Sequence, residues 1–178
     1  FLTSFDGNKH PNVVINLQTN GVMFTENMWE RMSLCHDNIS TVLISIDAAT
    51  EETYNKVRVG GKWDILMKNI EMVDELRRCG EIDRLRLDFV VQRQNYSEMP
   101  QAVEFAQSLL GVDGIYFAIL TDWGTWSRDE YKWHAIWMQD NEMHEDFIRV
   151  LDNDIFEDKK VDLGNVRHYY ELSRGKND

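Results

Sequence analysis

Four short stretches, Val13 to Gln18, Thr41 to Ile46, Leu85 to Gln92 and Gly114 to Leu120, are β-branched or aromatic runs of strand length bounded by turn residues. The runs Val42-Leu43-Ile44-Ser45-Ile46 and Tyr116-Phe117-Ala118-Ile119-Leu120 are too continuously apolar for a sheet with one wet face. They predict parallel strands covered on both sides.

Helical patterns fill the intervals. Thr25 is placed to cap a helix with an apolar stripe of Met28, Trp29 and Met32 and with Asn38 near its end. Thr50 precedes Glu51 and Glu52, carboxylates that suit the positive end of a helix. After Gly60-Gly61, the residues Trp63, Leu66, Ile70 and Val73 keep helical spacing up to a stop at Gly80. Asn95 or Ser97 then caps a helix with Pro100 in its first turn, with Val103, Ala106 and Leu110 facing inward and Gly111 ending it.

The order β-α-β-α-α-β-α-β calls for right-handed crossovers and a parallel sheet. The fold class is therefore α/β, with about half of a (β/α) TIM-type barrel over residues 1–121. Residues 122–178 read as a mostly helical C-terminal extension, crowded with Trp123, Trp126, Trp133 and Trp137. Trp133 and Trp137 fall on one helical face, as do His134 and Met138, which is packing geometry for a face covering the barrel or a partner domain, the other reading being an aromatic platform for a peptide or sugar substrate. A helix is predicted from Glu142 to Leu151, and the polar end from Ser173 to Asp178 reads as frayed.

With 31 acidic against 19 basic residues the net charge is −12, which argues against a nucleic-acid partner. The apolar runs are too short to span a membrane. Cys35 and Cys79 are the two cysteines, without CxxC or Cys/His metal spacing, so reduced thiols in a cytoplasmic protein are the expectation. His134 and His144 lie ten apart with no HxxxH or HExxH, which predicts no metal there. The first residues, Phe1-Leu2-Thr3, carry neither an initiator Met nor a secretory pattern and read as the start of a piece cut from something longer.

In a parallel α/β sheet the working groups collect at the carboxyl ends of the strands. Here those ends read Gln18-Thr19-Asn20-Gly21, Ser45-Ile46-Asp47, Gln92-Arg93-Gln94-Asn95 and Thr121-Asp122-Trp123-Gly124. Hydroxyls and amides, with carboxylates in the minority, suit hydrogen bonding to a sugar and an amino acid better than acid–base hydrolysis.

Three pieces at these ends carry a resemblance. They are Thr19-Asn20-Gly21, then Ile44-Ser45-Ile46-Asp47 with Ala49-Thr50-Glu51-Glu52-Thr53-Tyr54 and Val57-Arg58, then Gly60-Gly61-Lys62-Trp63-Asp64. In this order and spacing they resemble the radical S-adenosylmethionine superfamily, in its SPASM or twitch branch, with a looser match at Phe89 to Asn95 and Tyr116 to Thr125. The resemblance implies that Ser45 belongs to a ribose-binding motif and that Arg58 pairs with the carboxylate of the methionine moiety. It puts Asp47 and Asn20 on the same rim, and Gln92 and Asn95 toward the adenine. It further implies a parent enzyme using S-adenosylmethionine and a [4Fe–4S] cluster on a peptide or sugar-like small molecule. The superfamily's CxxxCxxC is absent, so the resemblance implies a missing N-terminal barrel segment, no cofactor held by this piece alone and no activity of its own. No cysteines follow Asn165 to support an auxiliary cluster.

Plainer readings of the same residues stay open. Asn20-Gly21 suits any tight turn, Asp47 can cap a helix, Ser45 can satisfy a backbone group, and Arg58 can be a surface ion pair. So do two other functions: a non-catalytic half-barrel that binds or self-associates through its open side, and a piece of a conventional TIM-barrel lyase or hydrolase.

Overall fold

The computed structural model describes residues 1–175. Its framework is a five-stranded, wholly parallel sheet: β1 (Ile15–Thr19), β2 (Ile39–Ser45), β3 (Arg84–Val91), β4 (Gly114–Ile119) and β5 (Val161–Asp162). The strands lie side by side in chain order, and β1 and β5 each have one neighbour, so the sheet is not closed. The first four strands stand where the apolar runs put them. The fifth is only two residues long; it carries the sheet across the boundary drawn at residue 121.

The helices are α1 (Glu26–Arg31), α2 (Glu51–Val57), α3 (Trp63–Arg78), α4 (Met99–Ser108), α5 (Arg128–His134), α6 (His144–Leu151) and α7 (Arg167–Ser173). Thr25 and Thr50 cap α1 and α2 as expected, accepting from the amides of Met28 and Thr53. A stretch of 3₁₀ helix (Ser33–Asn38) continues from α1, and Gly80 closes α3 at a positive φ of 81°.

Among the described residues the strands are not covered on both sides. Val42, Ile44, Leu85, Leu87, Phe89, Ile115 and Phe117, alternate residues of β2 to β4, are fully buried. This is the helical side: a Cβ added at Gly21 would meet Leu66 of α3 and Ile44 together, and Phe117 meets Phe156 edge-on at 6.0 Å. The intervening residues Gln18, Leu43, Ser45, Arg86, Val90, Tyr116 and Ala118 are half-buried or exposed, while Asp88 between Arg86 and Val90 is buried beside the Arg86 guanidinium. The strand order explains the difference. Right-handed crossovers between successive neighbours put the connecting helices on one face, whereas covering both faces requires the order to reverse.

Other local expectations also change. Asn95 and Ser97 do not cap α4; its first turn follows a 3₁₀ turn (Tyr96–Glu98), with Pro100 at its start. Leu110 is 78% exposed because α4 has ended and Leu109 is extended. Gly111 ends no helix: its amide donates to Asp74 Oδ1 at 2.7 Å, and a Cβ would sit 2.4 Å from the Asp74 carbonyl oxygen. Trp133 and Trp137 do not share a helical face, nor do His134 and Met138, since α5 stops at His134. Beyond it the chain turns, leaving Trp133 46% exposed and Trp137 buried. Ser173 belongs to α7 and its hydroxyl donates to the Tyr170 carbonyl, while 176–178 lie outside the described residues.

Candidate functional site

The turn after β1 meets the carboxyl end of α2 and the Gly60-Gly61 turn around a cavity of about 300 Å³, and Asp47, just after β2, reaches it through Arg58. Asn20, Tyr54 and Arg58 line it together with Val22, Met23 and the two glycines. Glycine is required at Gly61, where a Cβ would fall 2.4 Å from the Tyr54 ring. Tyr54 is buried, packs on Trp63 with ring centroids 5.4 Å apart, and has its phenol pushed upward in pKa by that burial.

Asp47 is the most constrained residue of this lip. Its φ is 52°, the sole positive value among described non-glycine residues, a conformation costing about 1–3 kcal/mol unless its surroundings hold it. They do so on three sides. Asp47 Oδ2 accepts from Arg58 Nε at 2.9 Å and Nη2 at 2.5 Å, and its Oδ1 accepts from the Val90 amide at 2.8 Å. The Asp47 carbonyl accepts from Asn95 Nδ2 at 2.9 Å. Burial raises the Asp47 carboxyl above its ordinary range, opposed by the Arg58 charge and the Val90 bond.

Arg58 is thus half-committed. Its Nε/Nη2 edge grips Asp47, while Nη1 has no protein partner among the described residues. The side chain keeps 29% of its exposure, so the second edge of the guanidinium can take a carboxylate or phosphate oxygen.

The other expected residues divide. Asn20 is exposed at the cavity and also builds its own turn, its Oδ1 accepting from the Val22 amide at 3.3 Å. Ser45 is half-buried on the bare face of the sheet, in register with Asp88 of β3 and away from the cavity lining. Gln92 is buried, and its amide donates to Asn95 Oδ1 at 2.8 Å. Asn95 is fully buried, with Nδ2 donating to both the Asp47 and Val90 carbonyls. Its amide group is used up in tying β2 to β3, so Asn95 positions Asp47 and is not free to meet a ligand.

Three residues of the lip were not anticipated. Glu98 reaches back to α2, its Oε2 accepting from the Ala49 and Thr50 amides and its Oε1 from the Thr50 hydroxyl at 2.6 Å. Asn69 Nδ2 donates to the Gly21 and Val22 carbonyls and fixes the Asn20 turn. Asp88, on the bare face, receives two bonds from Arg86, whose guanidinium also covers the Tyr116 ring at 4.7 Å. Only Asp88 had a visible signal, a carboxylate inside an apolar strand.

Among the described residues no group of three or more His, Cys, Asp or Glu could hold a metal ion. Cys35 is buried, its thiol donating to the Met32 carbonyl, and Cys79 is exposed beside Glu75. Two thiols do not fit a [4Fe–4S] cluster, which needs three or four. No helix of the described residues is long and apolar enough to cross a membrane. Neither a family model nor a curated protein sequence matches the chain.

Proposed function

We propose that this chain is part of a (β/α) barrel whose carboxyl lip holds S-adenosylmethionine, within a radical S-adenosylmethionine enzyme of the SPASM or twitch type. The observation that carries the reading is Arg58: anchored along one edge by Asp47, it offers its other edge to a cavity shared with Asn20. A fixed, planar cation suits the carboxylate of an amino acid better than a mobile lysine does. The cavity is large enough for the methionine end of the ligand, and the nucleoside would extend along the strand ends toward Ser45. A polar sheet face and strands in unreversed order support the barrel, because a barrel interior is where such a face finds cover.

The roles follow from the hydrogen bonds. Arg58 binds and orients, Asp47 holds Arg58, and Asn95 and Glu98 hold the backbone that carries Asp47 and the start of α2. The cofactor supplies the adenosyl group from which such enzymes form a carbon radical. The electron source is not in this chain, since its two cysteines cannot ligate the cluster, so the chain alone is expected to be inactive. Peptides or sugar-like small molecules are the proposed substrates of the whole enzyme.

Titration with millimolar S-adenosylmethionine, followed by amide NMR, tests the reading. Shifts are expected at Asn20 to Val22 and at Arg58 to Gly61, weakened in Arg58→Lys and lost in Arg58→Ala. Shifts that are absent, or that survive Arg58→Ala, overturn it. The open edges at β1 and β5 favour a second reading, a half-barrel closed by a second copy. Light scattering separates them, because a strict monomer removes the second.

A further inference from the structure

The helix that follows β4 carries a second concavity. Its start is fixed by a capping box, the Ser127 side chain accepting from the Glu130 amide while the Glu130 carboxylate accepts from the Ser127 amide. Two bonds hold α5 against the sheet's carboxyl edge: the Tyr131 hydroxyl donates to the Leu120 carbonyl at 3.2 Å, and the Arg93 amide to the His134 carbonyl at 3.2 Å. A cavity of about 360 Å³ lies on this helix, lined by Trp126, Asp129, Glu130, Trp133 and His134. None of the five lines the Arg58 cavity.

Helical spacing brings 129 and 133, and 130 and 134, to neighbouring positions, and Trp126, just before the Ser127 cap, folds over His134. Both indoles crowd the imidazole: Trp126 lies 5.3 Å from the His134 ring centroid, and Trp133 meets it edge-on at 4.8 Å. The charge is negative. Bonds from Ser127 hold the Glu130 carboxyl below its usual range, and Asp129 has no hydrogen bond or ion pair among the described residues. Burial lowers the His134 pKa, so the ring is neutral near pH 7, and its Nδ1 is enclosed without a hydrogen-bond partner. The nearby cation, Arg93, covers the Trp133 ring at 4.7 Å and is already paired with Glu142.

Two indoles, two carboxylates and a neutral imidazole select by chemistry. Anions meet repulsion, and a neutral apolar ligand would strip water from the carboxylates without replacing it. A bare metal ion wants a convergent set of donors, which is lacking among the described residues. We infer that this cavity binds a small organic cation bearing a quaternary or methylated ammonium group, held by indole faces and balanced by Asp129 and Glu130. This inference does not rest on the adenosylmethionine reading.

Choline is the probe, and its neutral isostere 3,3-dimethyl-1-butanol is the control, with the indole N–H signals of Trp126 and Trp133 as the readout. Choline is expected to move both signals saturably, with the alcohol about tenfold weaker or more. Asp129→Asn is expected to weaken choline about threefold or more, and Trp126→Ala further, with far-UV circular dichroism unchanged. If Trp126→Ala does not fold, Asp129→Asn decides, since that side chain makes no hydrogen bond or ion pair among the described residues and Asn keeps its shape. Equal response to the alcohol, no saturable shift up to about 50 mM, or choline binding unaltered in Asp129→Asn overturns the inference.

Discussion

On the helix-covered face of the sheet Ile44, Leu87, Phe89 and Phe117 are fully enclosed. One residue along each strand the opposite face carries Ser45, Arg86, Asp88 and Tyr116, a hydroxyl, an ion pair and a phenol, with no helix over them among the described residues. The same backbone bonds serve both faces, so the difference lies wholly in side chains and in what lies above them. One face holds the fold together. The other carries polar groups, of which Asp88 and Arg86 are already paired with each other, and is where recognition can be built at lower cost to stability.

Four measurements bear on this contrast. The largest effect is expected from Phe89→Ala on the covered face, where an aromatic ring packed on Phe117 is lost and a cavity is left. Urea unfolding should show a loss of about 3–5 kcal/mol. A loss below about 1 kcal/mol would mean that this face is not the core. Asn95→Ala comes next, because it orphans the Gln92 amide and withdraws donors from two carbonyls, at a cost of about 2–3 kcal/mol. It should also weaken the adenosylmethionine shifts through Asp47, whereas Arg58→Ala removes them directly.

Tyr96 tests the polar contact under the helical layer. Its hydroxyl donates to Asp146 at 2.5 Å, and burial together with that bond pushes the phenol up to about 12 from its ordinary 10.0. The folded chain therefore keeps a proton that the unfolded chain releases first, and stability falls as pH rises through that window. Tyr96→Phe is expected to cost about 1–2 kcal/mol at neutral pH and to lose this alkaline slope. An identical slope in the variant would locate the titration elsewhere. Ser45→Ala, on the bare face, should leave stability within about 0.5 kcal/mol. A larger loss would mean that the bare face carries part of the fold.

Much of the framework could be read from residue order. The four long strands, the Thr25 and Thr50 caps and the helix from Trp63 follow from local pattern, because each is decided by neighbours within a few residues. Val161–Asp162 is too short to carry a period, and only its pairing with β4 makes it a strand. The bare face was legible in part: Arg84-Leu85-Arg86-Leu87-Asp88-Phe89 alternates polar and apolar residues, a period of two that outweighs the unbroken runs in its neighbours. The candidate lip was half legible. Asn20, Asp47 and Arg58 converge on one cavity and its ion pair, but Ser45 points from the other face and Asn95 is consumed in bracing. Local pattern could not show either, since the side to which a strand end turns depends on the positive φ at Asp47 and on partners over forty residues away.

The brace supplied by Glu98 has a consequence for assembly. The amides that open α2 are bound by a carboxylate 48 residues downstream, on the far side of α3 and β3. During synthesis Thr50 leaves the ribosome well before Glu98 does, so the Ala49 and Thr50 amides stay with water until Glu98 arrives, although the Thr50 hydroxyl already caps the turn that follows. A nascent chain ending before Val90 would lack the bonds from Val90 and Asn95 that hold Asp47, and one ending before Glu98 would lack the brace on the approach to α2, which makes the lip a late product of translation.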